Sequence, residues 1–243
     1  PPPPPPPPPT PTRAGIRRQR QMCIRDRFKP QVTAFSGSRH VIVADHTGAD
    51  DMRTIAGQIL DSAPDRFALA GLSMGVYLAL EIMAVAPDRV TRLALLDGKA
   101  RPDTAEQLAA RHDLLAMADA GRYLDITRDV LLPRLVAPGR SSETTLREVI
   151  VQMAMDTGEA VFRRQMAAII NRPSYLAGLQ KVSCPALVLT GQLDVITPPA
   201  CALEMAERLL HADLHLIPGC GHLSTLEAPD TVNAAMQRWL GET

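Results

Sequence analysis

Phe67-Ala68-Leu69-Ala70-Gly71-Leu72-Ser73-Met74-Gly75-Val76-Tyr77-Leu78-Ala79-Leu80-Glu81 is the stretch on which the reading of the whole chain turns. Phe67 to Ala70 is a short apolar run of the kind that forms a strand covered on both faces. Val76, Leu80 and Met83 then recur at helical spacing. Between the two lies Gly71-x-Ser73-x-Gly75. A serine at the tip of a tight strand-to-helix turn is held in a strained backbone conformation, and glycine two residues before and after it is expected to relieve collisions with the crossing elements. The turn lifts the hydroxyl above the sheet. The helix starts at once, so its free N–H groups and positive dipole end face any oxyanion that develops there, with Met74 as the backbone donor. An ordinary Gly/Ser turn competes with this reading on the pentapeptide alone; the strand before it and the helix after it favour a nucleophile.

Outward from that turn, strands and helices alternate. Phe28 to Ser36 reads as the end of a helix stopped by Gly37. Arg39 to Asp45 is dense in β-branched residues and reads as a parallel strand, closed by the turn Asp45-x-x-Gly48; His46 in that turn reads as a solvated loop histidine. A helix over Thr54 to Ser62 leads to the central stretch. After it, Pro87-Asp88-Arg89 turns the chain into a strand over Val90 to Leu96, ending at Asp97. Further strands are expected at Ala186 to Gly191 and Asp213 to Ile217, with helices from Pro198 to Leu210 and from Pro229 to Leu240. The pattern predicts an α/β fold with a mostly parallel sheet and flanking helices.

Residues 100–173 break the alternation. Helical patterns over Thr104 to Ala118, Tyr123 to Leu135, Ser142 to Met155 and Glu159 to Asn171 follow one another without a strand. Residues 30–99 and 174–243 then form the core, and 100–173 a helical insertion. Met117, Met153, Met155, Phe162, Met166, Ile169 and Ile170 are candidate pocket-lining residues, although packing of helix against helix is the better reading for any single one. With aromatic residues at 3%, a stacking site for a large aromatic substrate is not expected.

Ser73, Asp194 and His222 each follow an expected strand. Acyl transfer by a serine needs a base within hydrogen-bond reach and a buried carboxylate that fixes the imidazole tautomer, and these three supply it. Their order in the chain, the loops Gly191-x-x-Asp194 and Gly221-His222 followed by Glu227-x-Pro229, and the turn at Ser73 together resemble the α/β-hydrolase family from about Pro30 onward. The resemblance implies a serine hydrolase in which Ser73 attacks, His222 transfers the proton, Asp194 orients His222 and Met74 N–H stabilises the oxyanion, with Gly71 and Gly75 shaping the turn. Asp97 is the alternative acid, since some members place the carboxylate after that strand. The resemblance also makes the insertion a cap over the site. It implies a small carboxylic ester or lactone as substrate and neither metal nor organic cofactor. Carbon–carbon bond hydrolases, acyltransferases and perhydrolases use the same triad, and some non-catalytic ligand-binding proteins use the same scaffold.

Two departures from the family pattern stand out. Val76 occupies a position where glycine is usual, which is expected to narrow the pocket. No apolar strand followed by a His-Gly or Pro-Gly loop precedes Arg39, so the second oxyanion donor of the family has no counterpart there; one such donor is typically worth about a hundred- to a thousand-fold in turnover. Pro1 to Pro9 is low-complexity, with a proline-rich interaction segment as the rival reading. Gln21 to Arg27 resembles a translated sequencing adapter. Residues 1–29 are accordingly expected to lie outside the native fold, and the family's first strands to be missing.

Composition narrows the function classes. Lysine plus arginine equals aspartate plus glutamate at 26 each, but through Lys29 there are seven basic residues and one acidic, so the body is mildly acidic. That argues against a nucleic-acid surface. No apolar run approaches a membrane span and no signal-peptide core is present, giving a cytoplasmic expectation. The four cysteines, Cys23, Cys184, Cys201 and Cys220, have neither paired spacing nor the density of a disulfide scaffold. Cys220 stands two residues from His222, as a metal ligand could, but without a second ligand cluster it reads as a small buried thiol. Oligomeric state is not expressed in the sequence.

Overall fold

Four parallel strands in the order β1-β2-β3-β4 form the sheet of the computed structural model, which describes residues 27–241. They are β1 (Phe67–Leu72), β2 (Val90–Leu96), β3 (Ala186–Gly191) and β4 (Ala212–Ile217). Successive side chains on a strand point to opposite faces, so both faces of this sheet need cover. Leu93, Leu95, Ala186 and Val188 pack on one side with α2 (Met52–Ser62), α3 (Met74–Val85) and α10 (Pro199–Arg208). Ala94, Leu96, Leu187 and Leu189 pack on the other with α1 (Lys29–Phe35) and α11 (Pro229–Trp239). The apolar runs 93–96 of β2 and 186–189 of β3 follow from this double cover.

Between β2 and β3 the chain is helical: α4 (Ala105–Asp119), α5 (Tyr123–Asp125), a wide π-helical stretch (Ile126–Leu131), α6 (Leu132–Leu135), α7 (Thr144–Thr157), α8 (Glu159–Ile170) and the short α9 (Leu176–Leu179). Thr104 starts α4 with a reciprocal capping box to Gln107, the arrangement that its Thr-x-x-Gln sequence favours. The two ends of this insertion meet at Asp103. Its carboxylate, 1% exposed, accepts from Arg172 Nη2 at 2.8 Å, Lys99 Nζ at 2.9 Å and Arg111 Nε at 2.5 Å. Arg172 in turn stacks 4.1 Å over the Tyr77 ring of α3. Of the candidate pocket residues, Met153 and Ile169 are buried in the two cores, Met155 is half exposed and Phe162 packs on Tyr123 at 5.5 Å.

The expected strand over Arg39 to Asp45 does not form. A β-branched run becomes a strand only if a neighbour satisfies its backbone groups, and among the described residues no strand pairs with this one or with the outer edge of β1. Ile42 is consequently 50% exposed. The turn that follows forms as read, with Asp45 Oδ1 accepting from Thr47 N–H at 2.9 Å. His46 is half-buried rather than solvated, and burial, reinforced by the Arg27 charge, pushes its pKa down to about 4. No helix among the described residues is long and apolar enough to cross a membrane. The proline run and Gln21 to Asp26, including Cys23, lie outside the described residues.

Candidate active site

The expected strand, turn and helix around Ser73 form as β1 and α3. Ser73 has φ 54° and ψ −113°, a conformation that non-glycine residues rarely adopt and one that costs on the order of 1 to 3 kcal/mol. It is held there because Ser73 N–H donates to Leu96 C=O at 2.9 Å while its own carbonyl accepts from Val76 N–H at 2.9 Å. Gly71 is indispensable to the turn, since a Cβ would fall 2.1 Å from Gly75 C=O. Gly75 does not play the matching role: a Cβ there would meet nothing within 4 Å. The collision is one-sided because the helix carries its second residue's side chain away from the strand while its carbonyl stays against Gly71. Val76 is fully buried, and its side chain occupies the space beside Gly98.

Three loops at the carboxyl ends of β1, β3 and β4 converge on one hydrogen-bonded chain. Ser73 Oγ lies 2.8 Å from His222 Nε2, and His222 Nδ1 lies 2.8 Å from Asp194 Oδ2. His222 and Asp194 are buried, at 1% and 3% exposure. Asp194 Oδ1 accepts from the N–H groups of Ile196 and Thr197 at 2.8 and 2.9 Å, and Thr197 Oγ1 donates to Oδ2 at 2.7 Å. Burial opposes ionisation of Asp194, but the His222 hydrogen bond and charge together with the Thr197 donors outweigh it and hold the pKa below the usual carboxylate range. The carboxylate is therefore charged at neutral pH and directs the Nδ1–H tautomer, leaving Nε2 free to accept from the serine. Met74 is the first residue of α3, so its N–H has no intrahelical acceptor.

Asp97, the rival acid, lies elsewhere. Its fully buried carboxylate accepts from Gly191 N–H at 3.2 Å and from Ser224 N–H and Oγ–H at 3.1 and 2.5 Å, and it has no hydrogen bond to His222. Burial, opposed in part by the His222 charge and the Ser224 bond, raises its pKa to about 7. Glu227 also holds the histidine loop, accepting from Gly221 N–H at 3.0 Å and Ala137 N–H at 2.8 Å. Cys220 is the small buried thiol of the sequence reading, donating to Gly221 C=O at 3.7 Å, and no group of three potential metal ligands occurs among the described residues. Thr197 and Ser224 are the site residues that the sequence reading missed. The Asp194-x-x-Thr197 spacing, suited to an Asx-type turn, is the only local signal for either.

The chain has relatives among known proteins. A family model described as "Alpha/beta hydrolase family" matches residues 5–235. The chain is 30% identical over 190 residues to BpoC of Mycobacterium tuberculosis, provisionally named a non-heme bromoperoxidase, covering 75% of this chain and 70% of that one. It is 27% identical over 229 residues to the (E)-2-((N-methylformamido)methylene)succinate hydrolase of Acinetobacter baylyi, covering 88% and 85%. Among solved structures, a thermophilic esterase from Thermogutta terrifontis superposes with a TM-score of 0.79 at 27% identity, covering 89% of this chain and 85% of that one.

Proposed function

The chain belongs to the alpha/beta hydrolase family, and from that premise we propose that it is a serine hydrolase of small carboxylic esters or lactones, working through Ser73, His222 and Asp194. The observation that carries the proposal is the continuous chain from Ser73 Oγ through His222 to Asp194, with 2.8 Å at both links. In this mechanism Ser73 attacks the acyl carbonyl as His222 Nε2 takes its proton. The imidazolium, stabilised by charged Asp194, passes that proton to the leaving alcohol. Water, deprotonated by the same nitrogen, then releases the acid and restores Ser73. The oxyanion formed in each half-reaction lies against Met74 N–H at the positive end of α3. The helices between β2 and β3 act as a cap that sets the size of the acyl and alcohol groups admitted.

An esterase among its structural relatives and a succinate-derivative hydrolase among its sequence relatives support a substrate of modest size. The test is labelling with a fluorophosphonate probe, followed by intact-mass analysis and hydrolysis of short-chain p-nitrophenyl esters. Wild type is expected to gain one adduct, on Ser73, and to turn over the esters, while Ser73→Ala does neither. Absence of the adduct in folded protein would overturn the proposal.

A further inference from the structure

Asp97 has a side chain that the mechanism above does not use, yet it is fully buried and fully hydrogen-bonded. Leu72 and Leu96 are paired in register, so Ser73 and Asp97 are the residues at which two adjacent strands end. Both have positive φ, 54° and 47°. The bend at Ser73 presents a hydroxyl, and the bend at Asp97 turns a carboxylate towards the ends of β3 and β4. One oxygen of Asp97 holds Gly191, the last residue of β3, from which the loop to Asp194 departs; the other holds Ser224, two residues beyond His222. Those two loops are already in backbone contact. A Cβ on Gly191 would fall 2.1 Å from Gly221 C=O and 2.3 Å from Cys220 C=O.

We propose that Asp97 is a positioning residue whose carboxylate clasps the loop bearing Asp194 to the loop bearing His222, fixing the imidazole between Asp194 and Ser73. The inference rests on the hydrolase reading for its kinetic consequence but on geometry alone for its structural one. Thr197 Oγ1 also bridges the two loops, 2.7 Å from Asp194 Oδ2 and 3.3 Å from His222 Nδ1, but it meets the Asp194 and His222 side chains themselves, whereas Asp97 holds the backbone on either side of them; Glu227 ties the histidine loop to Ala137 of the insertion instead. With Asn at this position, one carboxylate oxygen becomes an amide donor facing the N–H of Gly191 or Ser224, so one loop loses its acceptor. A misplacement on the scale of 1 Å at His222 is enough to cost on the order of a hundred-fold in rate.

The test compares wild type, Asp97→Asn and Ser224→Ala by ester kinetics and by the proton NMR resonance of the His222 Nδ1–H shared with Asp194. Asp97→Asn is expected to lower kcat by about ten- to a hundred-fold with KM within about two-fold of wild type, and to shift or broaden that resonance. An unchanged resonance and kcat in Asp97→Asn would overturn the clasp. If Asp97→Asn does not fold, Ser224→Ala decides, because it removes one hydroxyl and keeps both N–H donors. A several-fold fall in kcat with a displaced resonance supports the clasp, and wild-type values of both overturn it. If wild type neither labels at Ser73 nor hydrolyses esters, the hydrolase reading fails on its own, while the His222 resonance still decides the clasp.

Discussion

Ser73 and Asp97 each pay for a strained backbone angle, and at both the surrounding hydrogen bonds fix the angle. The two glycines beside Ser73 make a sharp comparison at this scale. Gly71→Ala is expected to cost more than about 3 kcal/mol or to prevent folding, because the new methyl meets a backbone carbonyl that cannot move without the helix. Gly75→Ala is expected to leave stability within about 1 kcal/mol of wild type. Denaturant midpoints measure both, and equal effects would refute the one-sided collision. Asp194→Asn should lower kcat by about 10⁴-fold, since the carboxylate that selects the Nδ1–H tautomer is gone while the fold remains. Asp97 has a distinct pH signature. Its folded pKa of about 7 lies above the unfolded value of 3.8, so the native state binds the extra proton, and stability falls as pH rises from about 4 to 7. The contribution is on the order of 4 kcal/mol across that window. Asp97→Asn should flatten the corresponding part of the stability profile; an unchanged slope would show that Asp97 does not titrate there.

At the scale of elements, helices read from periodicity and caps form close to where they are expected. Val90–Leu96 and Ala186–Gly191 form as strands over the predicted residues, and α4 begins at its Thr-x-x-Gln box. The Arg39 to Asp45 segment has the composition of a strand and fails to become one, since a strand is a relation between two segments and composition describes only one of them. Arg89 illustrates the same limit. Its guanidinium donates to Leu60, Ala63, Pro64 and Asp65 carbonyls, closing the carboxyl end of α2 from 24 to 29 residues away. Arg89→Ala should destabilise the protein by about 2 kcal/mol, read as a lower thermal midpoint.

Across the whole molecule, the helical insertion is fastened at both ends to one buried carboxylate. Asp103 is close in sequence to Lys99 but 69 residues from Arg172, so the pair closes the insertion into a loop. Burial opposes the charge on Asp103, but the hydrogen bonds from Arg172, Arg111 and Lys99 override it and depress the pKa well below the usual carboxylate range. The sign is opposite to that of Asp97: this stability is present above the unfolded pKa near 4 and is lost as pH falls through and below it. Asp103→Asn is expected to cost about 3 to 5 kcal/mol at pH 7, leaving buried Arg172 and Lys99 without their anion. Urea unfolding checks it, and a loss below about 1 kcal/mol would mean that the cluster does not fasten the insertion.

By itself the sequence determined the alternation of strands and helices, the helical run between β2 and β3, the turn at Ser73 and the chain order of Ser73, Asp194 and His222, because periodicity, caps and turn chemistry are local properties. Only the tertiary structure decided that Asp194 rather than Asp97 reaches His222, that Gly71 and not Gly75 is sterically required, and that Arg39 to Asp45 forms no strand. Each of those depends on a distance between segments far apart in the chain. Asp97 and Asp194 both follow strands, and although the loop Gly191-x-x-Asp194 favours Asp194 by resemblance, only the packing of the loops shows which carboxylate reaches the imidazole.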